Sequence, residues 1–305
     1  LWLLICWRPR RTAERIRAAL LDGHFLLYAA LAAGLILLFG FSVSVKNAHP
    51  AVAGGLLPNQ DLMWNIGNAN SFKIAFPPQD IRFSEVRLTY HYLTEMTEGI
   101  LSLVSGLAAW DIIAFYIGPA VLIALVAALR LAGSCFYDGS VDKTDAFVLG
   151  LFLFNCASTF AALTNGRGLF YNYNLLYLVT NINGQATALI FASIFLSLFT
   201  VMARRKFAVS WRYLGAFLGC FVLLCFAKGP LAAIMTCSFA ITMLLVLVRR
   251  DRPQRIKALA ALAGVVGIFA VVYTNFYASG VNTSVRFGLK TFEQSVLNPL
   301  LGAIW

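Results

Sequence analysis

The chain has 305 residues, of which 60% are hydrophobic, with a mean hydropathy of +0.78 and a formal net charge of +11. A water-soluble globule cannot hide that much apolar surface, whereas a bilayer takes it up, so a soluble enzyme or binding module is excluded in favour of a polytopic membrane protein. The basic surplus falls in short clusters between apolar runs, with no basic face interleaved with aromatics, so nucleic acid is not an expected partner.

In chain order, residues 1–23 read as the tail of a preceding span, Leu1 to Trp7, followed by a cytoplasmic basic segment, Arg8 to Arg17. Residues 24–305 read as a multi-span domain. Its apolar runs are approximately 24–45, 110–131, 145–164, 184–203, 211–227, 230–248 and 258–278, each close to the roughly 20 residues that cross a hydrocarbon core of ~30 Å. The expected fold class is therefore all-α, a polytopic transmembrane helical bundle. The chain starts without Met inside one apolar stretch and ends at Ala303-Ile304-Trp305 in another, so it is expected to be truncated at both ends.

Topology follows from the basic clusters. Arg8 to Arg17, Arg204-Arg205-Lys206 with Arg212, and Arg249 to Lys257 fall on one side, which the positive-inside rule makes cytoplasmic. The weak point is Gly133 to Thr144, which belongs on that side yet carries Asp138 and Asp142 against Lys143. The six cysteines show no CxxC or Cys/His spacing and read as small apolar fillers. No repeat of fixed period is present, which gives an inverted-repeat transporter no support.

The segment from about 46 to 98 is too long for a connector between two membrane helices. It shares the extracytoplasmic side with Thr164 to Asn183, the Lys228-Gly229-Pro230 turn and the residues after Tyr277. Leu62, Ile66, Ala69 and Phe72 recur near helical spacing and predict a short interfacial helix, with Asp61 in its first turn and Pro77-Pro78 beyond its end. Asp61 there is either an ordinary helix-start acid or a fixed proton acceptor, and the two roles are compatible. Asp80 is a second carboxylate, an alternative base or a ligand for a divalent cation. Tyr90 and His91 read as part of an interfacial aromatic belt or as substrate contacts. Lys228 is either a snorkelling lysine or part of an anion site with the following helix N-terminus. Arg167 and Tyr173, in a loop rich in amides and tyrosines, are further candidates for phosphate and sugar contacts. Asp111, at the edge of the next span, reads as a first-turn cap.

The order of an Asp early in the first external loop, an amphipathic helix, a proline break, Leu88-Thr89-Tyr90-His91-Tyr92-Leu93 before the next span, and later Cys225-Phe226-Ala227-Lys228-Gly229-Pro230 resembles the GT-C superfamily of integral-membrane glycosyltransferases. The subgroup it is most similar to is the protein mannosyltransferase and aminoarabinose transferase-like family. There the Asp is often followed by Glu; here Asp61 is followed by Leu62. The resemblance implies an inverting glycosyltransferase of the cell envelope, in the bacterial inner (plasma) membrane with its active site extracytoplasmic. Its donor would be a polyprenyl-phosphate sugar, with Asp61 or Asp80 catalytic and Lys228, Arg167, His91, Tyr90 and Tyr173 binding substrate. No cofactor is certain beyond a possible divalent cation, and the partners are the donor, the lipid bilayer and an acceptor of unknown kind. The alternatives are a transporter or flippase of a lipid-linked or small anionic substrate, with Lys228, Arg167 and Asp111 along its path, and an O-antigen-type polymerase or ligase.

Overall fold

The computed structural model describes residues 22–46, 60–81, 86–90, 92–165, 182–248 and 252–277. Helices dominate these residues, and the only strand-like pairing among them is an isolated antiparallel bridge between Gln79 and Arg87. The helices are α1 (Gly23–Lys46), α2 (Gln60–Phe72), α3 (Leu93–Ser105), α4 (Ala109–Phe136), α5 (Val141–Asn165), α6 (Thr187–Arg204), α7 (Trp211–Ala227), α8 (Gly229–Val248) and α9 (Arg252–Val272). Single π-helical turns occupy Ile112–Tyr116 inside α4, Ile182–Ala186 before α6 and Tyr273–Tyr277 after α9.

Every apolar run expected from the sequence is a helix. Among the described residues, five helices are long and apolar enough to cross a membrane, within Gly23–Gly40, Ala109–Phe136, Gly184–Arg204, Gly229–Leu247 and Arg255–Tyr277. This makes the chain an integral membrane protein. Of the seven or so spans expected, α5 and α7 are not among these five. α7 is 17 residues long, at the short end of the roughly 17–25 that cross a bilayer. The side chains of α5 beyond Leu153 lie outside the described residues.

Lipid tails are as apolar as leucine, so helix association in a membrane rests on close packing rather than on expulsion of water. Two packed groups result. Tyr28, Leu35 and Phe39 of α1 meet Leu122 and Val126 of α4 and Val148 and Phe152 of α5. The larger group joins α6 to α9 around stacked rings: Phe195 lies 4.6 Å from Phe217, 5.3 Å from Phe221 and 5.7 Å from Phe239, centroid to centroid. Such ring pairs contribute about 0.5–1.5 kcal/mol each beyond their buried area. Leu125 of α4 and Ala186 before α6 bridge the two groups.

One end of the bundle is basic. There Arg204, closing α6, forms an ion pair with Asp138 and donates through Nη2 to the Phe136 carbonyl at 2.8 Å, and Lys257 of α9 donates to the Val209 carbonyl at 2.6 Å. These contacts gather the α4–α5 and α6–α7 connections and the early part of α9 together. They also answer the misgiving over Gly133 to Thr144, because Asp138 sits among the basic residues as their counter-ion. The other end carries α2, α3, the α7–α8 junction and the Tyr273–Tyr277 turn.

The described cysteines are free thiols, with Cys220 and Cys225 buried among apolar neighbours as fillers, Cys135 half-buried and Cys237 exposed on α8.

Candidate functional site

The loop between α1 and α4 folds onto the non-basic end of the bundle as two packed helices joined by a hairpin. Helical spacing puts apolar Ile66 and Ala69 of α2 on one side, where they pack with Ala109 and Ile113 of α4. Positions 61, 65, 68 and 72 fall on an adjoining face, so Asp61, Asn65, Asn68 and Phe72 align along the helix. The helix begins at Gln60, which puts Asp61 in its first turn as the sequence predicts; the Asp61 side chain lies outside the described residues.

α2 and α3 run in the same direction, as three contacts in register show. Trp64 meets Tyr90 edge-on at 4.4 Å, Ala69 and Phe72 face Gly99, and Lys73 Nζ donates to Ser102 Oγ at 2.9 Å. Gly99 is required here, because a Cβ would run into the Ala69 carbonyl oxygen and the Phe72 Cβ. α3 ends at Gly106, whose φ of 75° is the left-handed conformation that glycine adopts without cost, and its N–H closes the helix on the Ser102 carbonyl. The segment therefore continues past Glu98, its expected limit, to this break before α4.

Asp80 lies buried in the hairpin, where its N–H donates to the Val86 carbonyl at 2.8 Å and the Leu88 N–H donates to the Pro78 carbonyl at 3.0 Å. Tyr92, at the start of α3, anchors the loop to the bundle: its ring lies 5.1 Å from Phe72, 5.7 Å from Phe226 of α7 and 6.1 Å from Phe276 after α9. The Tyr277 hydroxyl donates to the Cys225 carbonyl and its ring lies against Gly229, which fixes the α7–α8 junction at the same place.

At that junction Lys228 has an extended backbone, φ −159° and ψ 103°, and its N–H ends α7 on the Leu224 carbonyl at 3.0 Å. Pro230 falls in the first turn of α8, where its missing N–H costs nothing. Lys228 and Pro230 line a cavity of about 190 Å³ together with Gln185, Leu189 and Ile234.

The feature that sequence inspection did not single out lies on α3. Glu95 and Glu98, three residues apart on one helical face, are 2% and 0% exposed, and Asn68 of α2 is 0% exposed. Glu95 Oε2, both carboxyl oxygens of Glu98 and both polar atoms of the Asn68 amide lack hydrogen-bond partners. Burial pushes the Glu95 carboxyl up to about 8, opposed by a backbone hydrogen bond and by the positive charge of Lys228. Burial, and then the neighbouring Glu95 carboxyl, raise Glu98 well above the usual carboxylate range. Leaving such groups unpaired costs a few kcal/mol when they are neutral and far more when they are ionised, so burial favours the protonated carboxyls. The signal was present in Thr94-Glu95-Met96-Thr97-Glu98-Gly99-Ile100-Leu101: two acids at i and i+3 beside a glycine, on a helix otherwise fit for an apolar surround.

Of the residues expected at a site, Tyr90 packs on α2 and Lys228 exerts its field on Glu95, so these two converge on one end of the bundle. Asp111 sits in the first turn of α4, whose N-cap is Ala108. His91, Arg167 and Tyr173 lie outside the described residues. Among the described residues no three His, Cys, Asp or Glu side chains are grouped for a metal ion.

No family model matches the chain, and neither a curated protein nor a solved structure does.

Proposed function

We propose that the protein is an integral-membrane glycosyltransferase that moves a sugar from a polyprenyl-phosphate donor to an acceptor hydroxyl on the extracytoplasmic side. The carrying observation is the buried carboxyl pair Glu95 and Glu98, three of whose four oxygens lack a hydrogen-bond partner, with Lys228 in the field of Glu95, packed under the helix that has Asp61 in its first turn. Unpaired buried acids within the field of a cation, at one end of a membrane bundle, are costly to keep for stability alone and fit acid–base and phosphate chemistry.

Asp61 takes the proton of the acceptor O–H as the acceptor oxygen bonds to the anomeric carbon. The bond from that carbon to the phosphate oxygen breaks, its electron pair leaving with the polyprenyl phosphate from the opposite face. Lys228, lining the cavity with Gln185, is the cation for the departing phosphate, whose developing charge is stabilised more strongly away from bulk water. While Glu95 keeps its proton, it adds no negative charge to the surroundings of Lys228. Once Glu95 ionises, it competes as the counter-ion of Lys228. A donor with an isoprenoid tail reaches this end laterally from the bilayer, past the exposed apolar face of α3 formed by Ile100, Leu103 and Val104.

The test is transfer of labelled sugar in membranes holding the full-length protein, given a panel of polyprenyl-phosphate sugars, with wild type and Asp61→Asn compared. General-base help is typically worth about 10²–10⁴-fold, and Asp61→Asn is expected to lose turnover on that scale while remaining inserted. No new glycosidic bond from any donor would overturn the proposal. Equal transfer by both would move the base to Asp80 or Glu95. The same buried pair supports proton-coupled transport of an anionic substrate as a second function, in which substrate crosses the membrane without covalent change.

A further inference from the structure

At the basic end, away from the carboxyl pair, a second cavity of about 770 Å³ lies between α1 and α4. That volume falls in the range of ligand sites, about 300–1,000 Å³. Its long wall is apolar and shallow in side chains, with Ala29 and Ala33 of α1 facing Ala127 of α4, all three exposed on the outside of the bundle. Its polar end is built across three helices. The Arg130 guanidinium lies 4.8 Å above the Tyr28 ring, the Tyr28 hydroxyl donates to Asp145 Oδ1 at 2.5 Å, and His24 Nδ1 meets Asp145 Oδ2 at 2.5 Å. Stacking engages the face of the guanidinium and uses none of its five N–H donors. Asp145, within the field of Arg130, accepts from Tyr28 and meets His24.

We propose that this groove is a binding site for an anionic phospholipid of the surrounding bilayer, one acyl chain lying along the Ala29, Ala33 and Ala127 wall and the headgroup phosphate on Arg130. Complementarity of charge decides for an anionic headgroup, and the run of the groove along two membrane-crossing helices decides for an acyl chain. Arginine suits the phosphate because its donors form a planar fork, and Ser134, one turn further along α4, adds a hydroxyl. A basic end with a pre-ordered arginine distinguishes the site from ordinary annular contacts, where neither headgroup nor position is selected.

The experiment is native mass spectrometry of the full chain in detergent, titrated with phosphatidylglycerol or phosphatidylcholine of the same acyl chains. One phosphatidylglycerol should stay bound with about five- to tenfold preference over phosphatidylcholine, the scale of one or two basic contacts. Arg130→Gln should abolish the preference and Arg130→Lys keep part of it. Ala33→Phe, which fills the groove without touching the charges, should weaken both lipids. Equal binding of the two lipids by wild type, or a preference that survives Arg130→Gln, would overturn the site. Because Arg130→Gln loosens a packed ring, thermal unfolding of each variant is followed alongside, and Ala33→Phe decides the matter if Arg130→Gln fails to fold.

Discussion

The ring cluster of α6 to α9 and the α2–α3 pair are both buried, yet they are opposites in chemistry. Around Phe195, Phe217, Phe221 and Phe239 the neighbours are apolar and the rings stack on one another, so every group buried there gains contacts. Between α2 and α3 the buried groups include the Glu98 carboxyl and the Asn68 amide, which gain no hydrogen bond, and the Glu95 carboxyl, one oxygen of which gains none. The first region holds the bundle together through packing. The second costs stability, and a cost carried at one end of a membrane bundle marks where chemistry is to be sought.

The contrast breaks most visibly in the core. Phe217→Ala should destabilise the protein by about 3–5 kcal/mol, read from thermal unfolding in detergent, because the cavity it leaves is enclosed by Phe195 and Phe239. Asp61→Asn should leave that transition in place. Next in size is the pH dependence of the carboxyl pair. Folded Glu95 keeps its proton up to about pH 8, whereas the unfolded chain releases it near 4.5, so stability is full below about pH 4.5 and falls as pH rises through that window. The loss is at most roughly 1.4 kcal/mol per pH unit. Glu95→Gln should reduce this slope to the part that Glu98 carries and be more stable than wild type at pH 9; a slope left unchanged in Glu95→Gln would assign it elsewhere. In the transfer assay wild-type turnover should decline above about pH 8, and Glu95→Gln should remove that decline.

Gly99→Ala sharpens the comparison within α3, since a Cβ would meet a backbone carbonyl that no rotamer change can move. A cost of about 1–3 kcal/mol is expected from such overpacking. Smallest of all, Arg204→Gln at the basic end removes a surface ion pair with Asp138 and should shift stability by less than about 1 kcal/mol, an effect that salt would mask in wild type.

The helices were legible in the sequence because an apolar run long enough to cross a membrane has no other way to satisfy its backbone. The basic end was legible for a related reason, since charge clusters mark one face of a bilayer. α2 was legible from Leu62, Ile66, Ala69 and Phe72, and the Lys228 turn from Gly229 and Pro230. α3 was missed as a separate helix because Leu93 to Ala108 reads as the approach to the next span, and its end depends on the single conformation of Gly106. The importance of Glu95 and Glu98 was missed because two acids in a polar loop read as solvated.

Composition and periodicity alone determined that this chain is an all-helical membrane protein with a long structured loop at one end of its bundle, because lipid imposes length and polarity locally, residue by residue. Tertiary structure alone decided that α2 and α3 pack in parallel, that the Lys228 junction lies within the field of Glu95, and that the carboxyls are buried. Burial is a property of the neighbours a side chain acquires, and residues 68, 95, 98 and 228 become neighbours only when the loop has closed over the bundle.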